Sequence, residues 1–166
     1  MKKRSNEKPK PGRLETKRRI IAYHEAGHAV TAIFLDARIQ YVTLIPGEDA
    51  ETGERYAGRL KRVEMPEPDE ESRRRYLAEC DLLIALAGPA AEEIFTGRKP
   101  HWLNGSSGDY RRAWELARWI HGYRWMPPGD PRGSVTDSYL RYMTKRVKVD
   151  YLTGTGWKAL QWRKPW

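Results

Sequence analysis

The chain has 166 residues, of which 39% are hydrophobic and 32% charged, enough for one cored soluble domain and too short for two. A single cysteine, Cys80, excludes an intrachain disulfide framework and any cysteine-rich zinc module, and no apolar run approaches a membrane span. The net charge of +9 is carried by the two ends, residues 1–19 and 141–166, and leaves an acidic middle; it is read as a solubilising tail and a solvated last helix, with attachment to nucleic acid or another anionic partner as the alternative.

In chain order, MKKRSNEKPKPGR has no apolar segment behind its charges. It is expected to be neither a signal peptide nor an anchor, and the expected location is cytoplasmic. Residues 1–13 are expected to form a disordered basic tail, and 14–166 a single domain. A helix is predicted from about Leu14 to Leu35, where Ile20, Tyr23, Ala26, Gly27, Val30, Ile33 and Phe34 recur at three and four spacing and predict one broad buried face. Gly27 costs about 1 kcal/mol relative to alanine in a helix interior, so another element or a ligand is expected close to the backbone there.

Ile39 to Pro46, IQYVTLIP, is β-branched and aromatic and ends in Pro-Gly, which predicts a strand. GEDAETGER is expected to be a loop and RYAGRLKRV a returning strand, making a small hairpin or sheet. MPEPDEE is a linker with a helix N-cap signal at Pro68-Asp69. A long helix is predicted from Glu70 to about Thr96, with Gly97 as C-cap. Within it, Gly88-Pro89 should kink or divide the helix, since proline removes a backbone donor. RKPHWLN leads into GSSG, where Ser106 or Ser107 can cap a third helix ending near Gly122. After the breaker cluster PPGDPRGS, a helix from about Val135 to Asp150 and a short one from about Gly156 to Trp162 complete a mainly α chain.

The chemistry concentrates in YHEAGHAV. Of four histidines, His24 and His28 stand at i and i+4 of one helix, so both imidazoles point the same way one turn apart. That geometry lets both reach one zinc ion. Glu25 stands beside the metal without ligating it, placed to take a proton from the metal's water and pass it to a leaving amine. A zinc site of this kind needs a third protein ligand and one open position. The extended metzincin pattern needs a histidine where Phe34 stands, which excludes that class. Glu92, Glu93, His101, Asp109 and His121 are the remaining candidates. Asp109 lies in the first turn of the third helix on its apolar side, where a bare carboxylate is costly without a partner.

YHEAGHAV, VTLIPG, LAGPAAEEIFTG and SSGDYRRAWELAR, in that order over roughly residues 16–125, resemble the peptidase domain of the membrane-bound AAA+ zinc proteases, the FtsH family (M41-like). The resemblance implies a helical, zincin-like domain with a small β hairpin or sheet near the cleft. It also implies Zn²⁺ held by His24, His28 and Asp109, with Glu25 as the catalytic glutamate. The strand at VTLIPG would run near the cleft, where its free edge could pair with an extended substrate. Glu92 or Glu93 is expected to orient a ligand histidine.

The sequence also departs from the family. No GxxxxGK[ST] phosphate loop is present, so no ATP binding is expected in this chain, and the part from about 123 onward diverges. All seven tryptophans follow residue 100. They are read as core filling, with an aromatic contact surface as the alternative. The expected function is a zinc-dependent metalloendopeptidase acting on peptides or unfolded polypeptide, with a homo-oligomer or separate partner protein as possible company and no nucleic acid. The alternative is a catalytically inactive zinc-binding domain that acts in protein–protein interaction.

Overall fold

The structure is a computed structural model and describes residues 12–50, 52–53, 55–64, 66–98, 107–121 and 134–153. Helix α1, Arg13–Phe34, leads into strand β1, Ile39–Thr43, and two short strands, β2 at Gly47–Glu48 and β3 at Arg55–Tyr56. Strand β4, Arg59–Arg62, precedes helices α2, Glu71–Thr96, α3, Ser107–His121, and α4, Ser134–Arg146. A π-helical segment, Val147–Leu152, continues directly from α4. The predicted last helix near Gly156, the loops RKPHWLN and PPGDPRGS, and residues 1–11 of the predicted tail lie wholly or mostly outside the described residues.

Among the described residues the core is one apolar cluster. Leu82, Leu83 and Leu86 of α2 meet Ala113, Leu116, Ala117 and Ile120 of α3, and Leu140 and Met143 of α4 with Val147 close the far side. Residues 82–91 are buried without interruption. For that reason α2 runs on through Pro89 as one helix, contrary to the division expected there: packing on both sides outweighs the single backbone bond that proline forfeits. Gly97 ends α2 in the left-handed conformation, φ 67°, as its C-cap position predicts. At the other end the N-cap residue is Glu70, with no side-chain cap bond, so the Pro68-Asp69 signal is not used.

The buried face of α1 is not the predicted one. Glu25, Gly27, His28, Thr31 and Ala32 are buried, whereas Tyr23 and Ile33 are 47% and 65% exposed. The seam against α2 is narrow and takes small residues: a Cβ on Gly27 would lie 2.6 Å from the Ala91 Cβ. The close approach inferred from this glycine is therefore present. Tyr23 instead lies on the outer side, stacked on Phe95 with ring centroids 4.0 Å apart.

Strands β1 and β4 pair antiparallel, with Val42 opposite Leu60 and Thr43 opposite Arg59. The stretch expected to be a plain loop between them holds a second antiparallel ladder, Gly47 opposite Tyr56 and Glu48 opposite Arg55. Its tip is tied locally, since Asp49 Oδ1 accepts the Thr52 N–H at 2.9 Å and the buried Asp49 carboxylate pairs with Arg59. Among the described residues no helix is long and apolar enough to cross a membrane. Trp114 packs against the core, while Trp119 is 47% exposed; the other five tryptophans lie outside the described residues.

Candidate metal centre

Three helices each contribute one part of the site. α1 presents His24 and His28 from consecutive turns, the first turn of α3 presents Asp109, and α2 passes beneath. His24 Nε2 lies 2.9 Å from Asp109 Oδ2, His28 Nε2 lies 3.1 Å from His24 Nε2, and His28 Nε2 lies 3.4 Å from Asp109 Oδ2. Ligands about 2.0–2.1 Å from a tetrahedral zinc are about 3.3 Å from one another, so the triangle has the size such an ion requires. His24, His28 and Asp109 form a group able to hold a metal ion.

The chemistry of the donors fits as well as their spacing. His28 Nδ1 is 2.7 Å from the carbonyl oxygen of Ile84, to which it donates, leaving Nε2 to face the cluster. His24 Nδ1 lies 3.4 Å from Glu92 Oε2, which orients that ring in the same sense. Two ring nitrogens and a carboxylate turned toward one point need a proton or a cation between them.

Burial alone would lower the pKa of His28, but its hydrogen bond to Asp109, that carboxylate's charge, the Ile84 carbonyl and Glu25 outweigh it and raise the imidazole above its ordinary value. Burial alone would raise the Asp109 carboxyl; hydrogen bonds from His24 and His28, and their charges, hold it well below its ordinary value instead.

Glycines make the space. A Cβ on Gly88 would stand 2.6 Å from His28 Cε1 and 2.7 Å from His24 Nε2, so the imidazoles rest directly on the α2 backbone. A Cβ on Gly58 would stand 2.9 Å from Glu25 Cγ and 2.7 Å from Ile21 Cγ2. The turn between β3 and β4 therefore lies over Glu25, and the Leu60 N–H donates to its carboxylate. Glu25 is 6% exposed. Burial raises its pKa, the nearby His28 and His24 oppose the rise, and Asp109 adds to it, the direction a proton acceptor working near neutral pH would need. Glu25, both histidines and Asp109 line one open cleft of about 740 Å³, walled on the strand side by Gly58, Arg59 and Leu60.

The structure thus gathers His24, His28 and Asp109, with Glu25 in the same cleft and Glu92 behind His24. Glu93 is turned elsewhere, its Oε2 2.7 Å from Lys148 Nζ. His101 and the side chain of His121 lie outside what the structure describes. The sequence reading missed Gly58, the Ile84 carbonyl and the use made of Gly88. Gly88 left a visible signal, a glycine inside an otherwise strong helix, but its neighbour Pro89 directed attention to helix breaking.

The arrangement is predominantly helical, with small antiparallel β ladders near a His/His/Asp cluster, and is zincin-like. The model of Peptidase family M41 matches residues 13–123. The chain is similar to the ATP-dependent zinc metalloprotease FtsH of Rickettsia conorii, 36% identical over 106 residues that make up 63% of this chain and 15% of that protein. It is likewise similar to FtsH of Neorickettsia risticii, 37% identical over 106 residues, again 63% of this chain and 15% of that one. FtsH of Thermus thermophilus is 40% identical over 106 residues, 61% of this chain and 15% of that one. The chain therefore spans a small fraction of the length of the curated relatives it matches.

Proposed function

This chain belongs to peptidase family M41, and on that footing we propose that it is a zinc-dependent metalloendopeptidase hydrolysing peptide bonds in unfolded or flexible polypeptide. The observation that carries the reading is the convergence of His24, His28 and Asp109 with both histidines oriented from behind, by Ile84 and Glu92. These three residues would hold Zn²⁺, which when bound polarises a peptide carbonyl and acidifies water.

Glu25 does the proton work. Its carboxylate takes a proton from the attacking water as the new C–O bond forms, and then returns it to the amide nitrogen, so that the C–N bond breaks and the amine leaves. The Gly58 backbone packs directly against its side chain, which limits the positions the carboxylate can take. The Leu60 N–H holds the carboxylate in place without supplying a full charge that would quench its basicity. An open cleft, rather than a closed cavity, suits a chain passing through it.

Zinc titration tests the ligand set independently of activity. The intact chain is expected to bind one zinc ion, and Asp109→Ala or His28→Ala to lose about three orders of magnitude or more of affinity, as a site reduced to two protein ligands would. Unaltered zinc binding by both variants would contradict the assignment.

A further inference from the structure

A second groove, of about 1180 Å³, opens between β4, the loop after it, the start of α2 and one side of α3. It is not separate from the metal cleft. Leu60, Arg62, Asp81, Arg112 and Glu115 line both spaces, so the two adjoin along β4 and α3. The Arg62–Asp81 ion pair, 2.6 Å between Nη1 and Oδ1, stands where they meet. Strand β4 forms a continuous wall, with Arg59 in the cleft, Leu60 and Arg62 in both, and Val63 just beyond it in the groove.

The lining of the groove combines charged residues with a few large apolar side chains. Val63, Tyr76, Leu77 and Trp119 all line it and remain 43%, 56%, 37% and 47% exposed. Four large, partly exposed apolar side chains from a loop, α2 and α3 thus border one depression, which gives it somewhere to hold apolar groups. Charged residues of both signs share the lining, among them Arg38, Arg73 and Arg74 against Glu64 and Glu67, so the groove has little net charge preference, and its apolar contact comes from Val63, Tyr76, Leu77 and Trp119.

We propose that this groove holds the flank of the substrate polypeptide and selects segments that carry large apolar side chains several residues from the scissile bond. The inference rests on the peptidase reading of the adjoining cleft. Its occupant follows from continuity: an extended chain advances about 3.3–3.6 Å per residue, so a polypeptide lying over Glu25 along β4 reaches the groove within a few residues of the cut. Apolar stretches are buried in folded proteins and accessible in unfolded ones, so the same surface favours unfolded chains over native ones. Trp119 and Tyr76 supply rigid aromatic area at low entropic cost.

The test uses the full chain and one scissile core presented as a short peptide, as that core extended on either side by a Phe/Leu-containing flank, and as the same extensions in serine. The apolar extension on one side is expected to raise kcat/KM at least about tenfold over the short peptide and the serine extension. Trp119→Ala and Tyr76→Ala should each collapse that ratio, whereas Ile33→Ala, an exposed apolar change outside the groove, should preserve it. Binding of the fluorescent peptides to chains that also carry Glu25→Gln provides a readout without cleavage. Flank-dependent binding that Trp119→Ala abolishes supports the groove even if no chain cleaves anything, in which case the peptidase reading alone falls. Cleavage with no flank preference, or with a preference that both groove variants leave intact, overturns the groove. A gain of affinity in the groove variants overturns it too, since the surface is then filled by the chain itself.

Discussion

The two sides of α2 are built by opposite means. Toward α3 and α4 it presents large apolar side chains: Leu82 is 0% and Leu86 1% exposed, and both meet Leu116, Leu140 and Met143 in one cluster. Toward α1 it presents almost nothing, since Ala87, Gly88 and Ala91 let Gly27, His24 and His28 settle against bare backbone. The first side holds the fold by filling space, and the second makes a site by leaving it empty. Stability and function should then separate cleanly under mutation, because the residues that serve one contribute little to the other.

The largest expected effect tests the filled side. Leu86→Ala should cost about 2–5 kcal/mol of unfolding free energy, as for other fully buried leucines, measured by urea unfolding of the metal-free chain. The folded fraction should keep its zinc stoichiometry. If zinc binding fell and stability did not, the division between the two sides would be wrong.

Gly88→Ala tests the empty side and should do the reverse. Its new Cβ stands 2.6 Å from one imidazole and 2.7 Å from the other, so the rings must move apart, while alanine improves the helix by up to about 1 kcal/mol. Zinc affinity is expected to fall about 100-fold or more, at the upper end of what disturbing ligand orientation costs, with metal-free unfolding changed little. Loss of both together would mean that Gly88 matters to the core. A gentler version is Glu92→Gln, which keeps shape but removes the charge 3.4 Å from His24 Nδ1; about tenfold weaker zinc binding is expected.

The smallest effect lies beside the site, at the α3–α4 contact. The Tyr110 hydroxyl donates to Asp137 Oδ1 at 3.2 Å. Burial, then the charge of Asp137 and the hydrogen bond to it, push the phenol up to about 12. Because the folded value lies above the ordinary one of 10.0, the neutral phenol stabilises the fold below pH 10. That contribution fades as pH rises toward the folded value. Tyr110→Phe should therefore cost about 1 kcal/mol near neutral pH, and the gap to the parent should shrink in alkaline unfolding experiments. A gap that widened with pH would reverse the sign of the argument.

The same contrast explains what the sequence disclosed. The filled side was legible, because helical patterning and cap signals predict α2 and α3 within about two residues of Glu71–Thr96 and Ser107–His121, while the helix expected from Val135 to Asp150 ends as α-helix at Arg146 and continues as the π-helical Val147–Leu152. That His24 and His28 meet was legible because i, i+4 spacing alone puts them on one face, with Glu25 next to the first of them. The residues alone left Asp109 one of five candidates, and the family resemblance selected it. The empty side was hard to read, since glycine and alanine carry no pattern. Gly88-Pro89 resembled a break, and the buried face of α1 was assigned to Tyr23, Ala26 and Ile33 rather than to Glu25, His28 and Thr31. Polar side chains buried at the candidate site invert the rule by which helical faces are read. The second ladder, two residues per strand, is too short to leave any periodic trace.

The central claim is that His24, His28 and Asp109 hold a zinc ion beside which Glu25 moves the proton. Its most direct test is cleavage of an unfolded fluorogenic polypeptide by the zinc-loaded chain, by the chelator-treated chain and by Glu25→Gln, with bound zinc measured in each. The account predicts cleavage by the intact chain, its loss on chelation and recovery with zinc, and a fall of about 10²–10⁴-fold in Glu25→Gln while one zinc per chain is retained. Equal cleavage by the intact chain and Glu25→Gln, or an intact chain that binds no zinc, would contradict it.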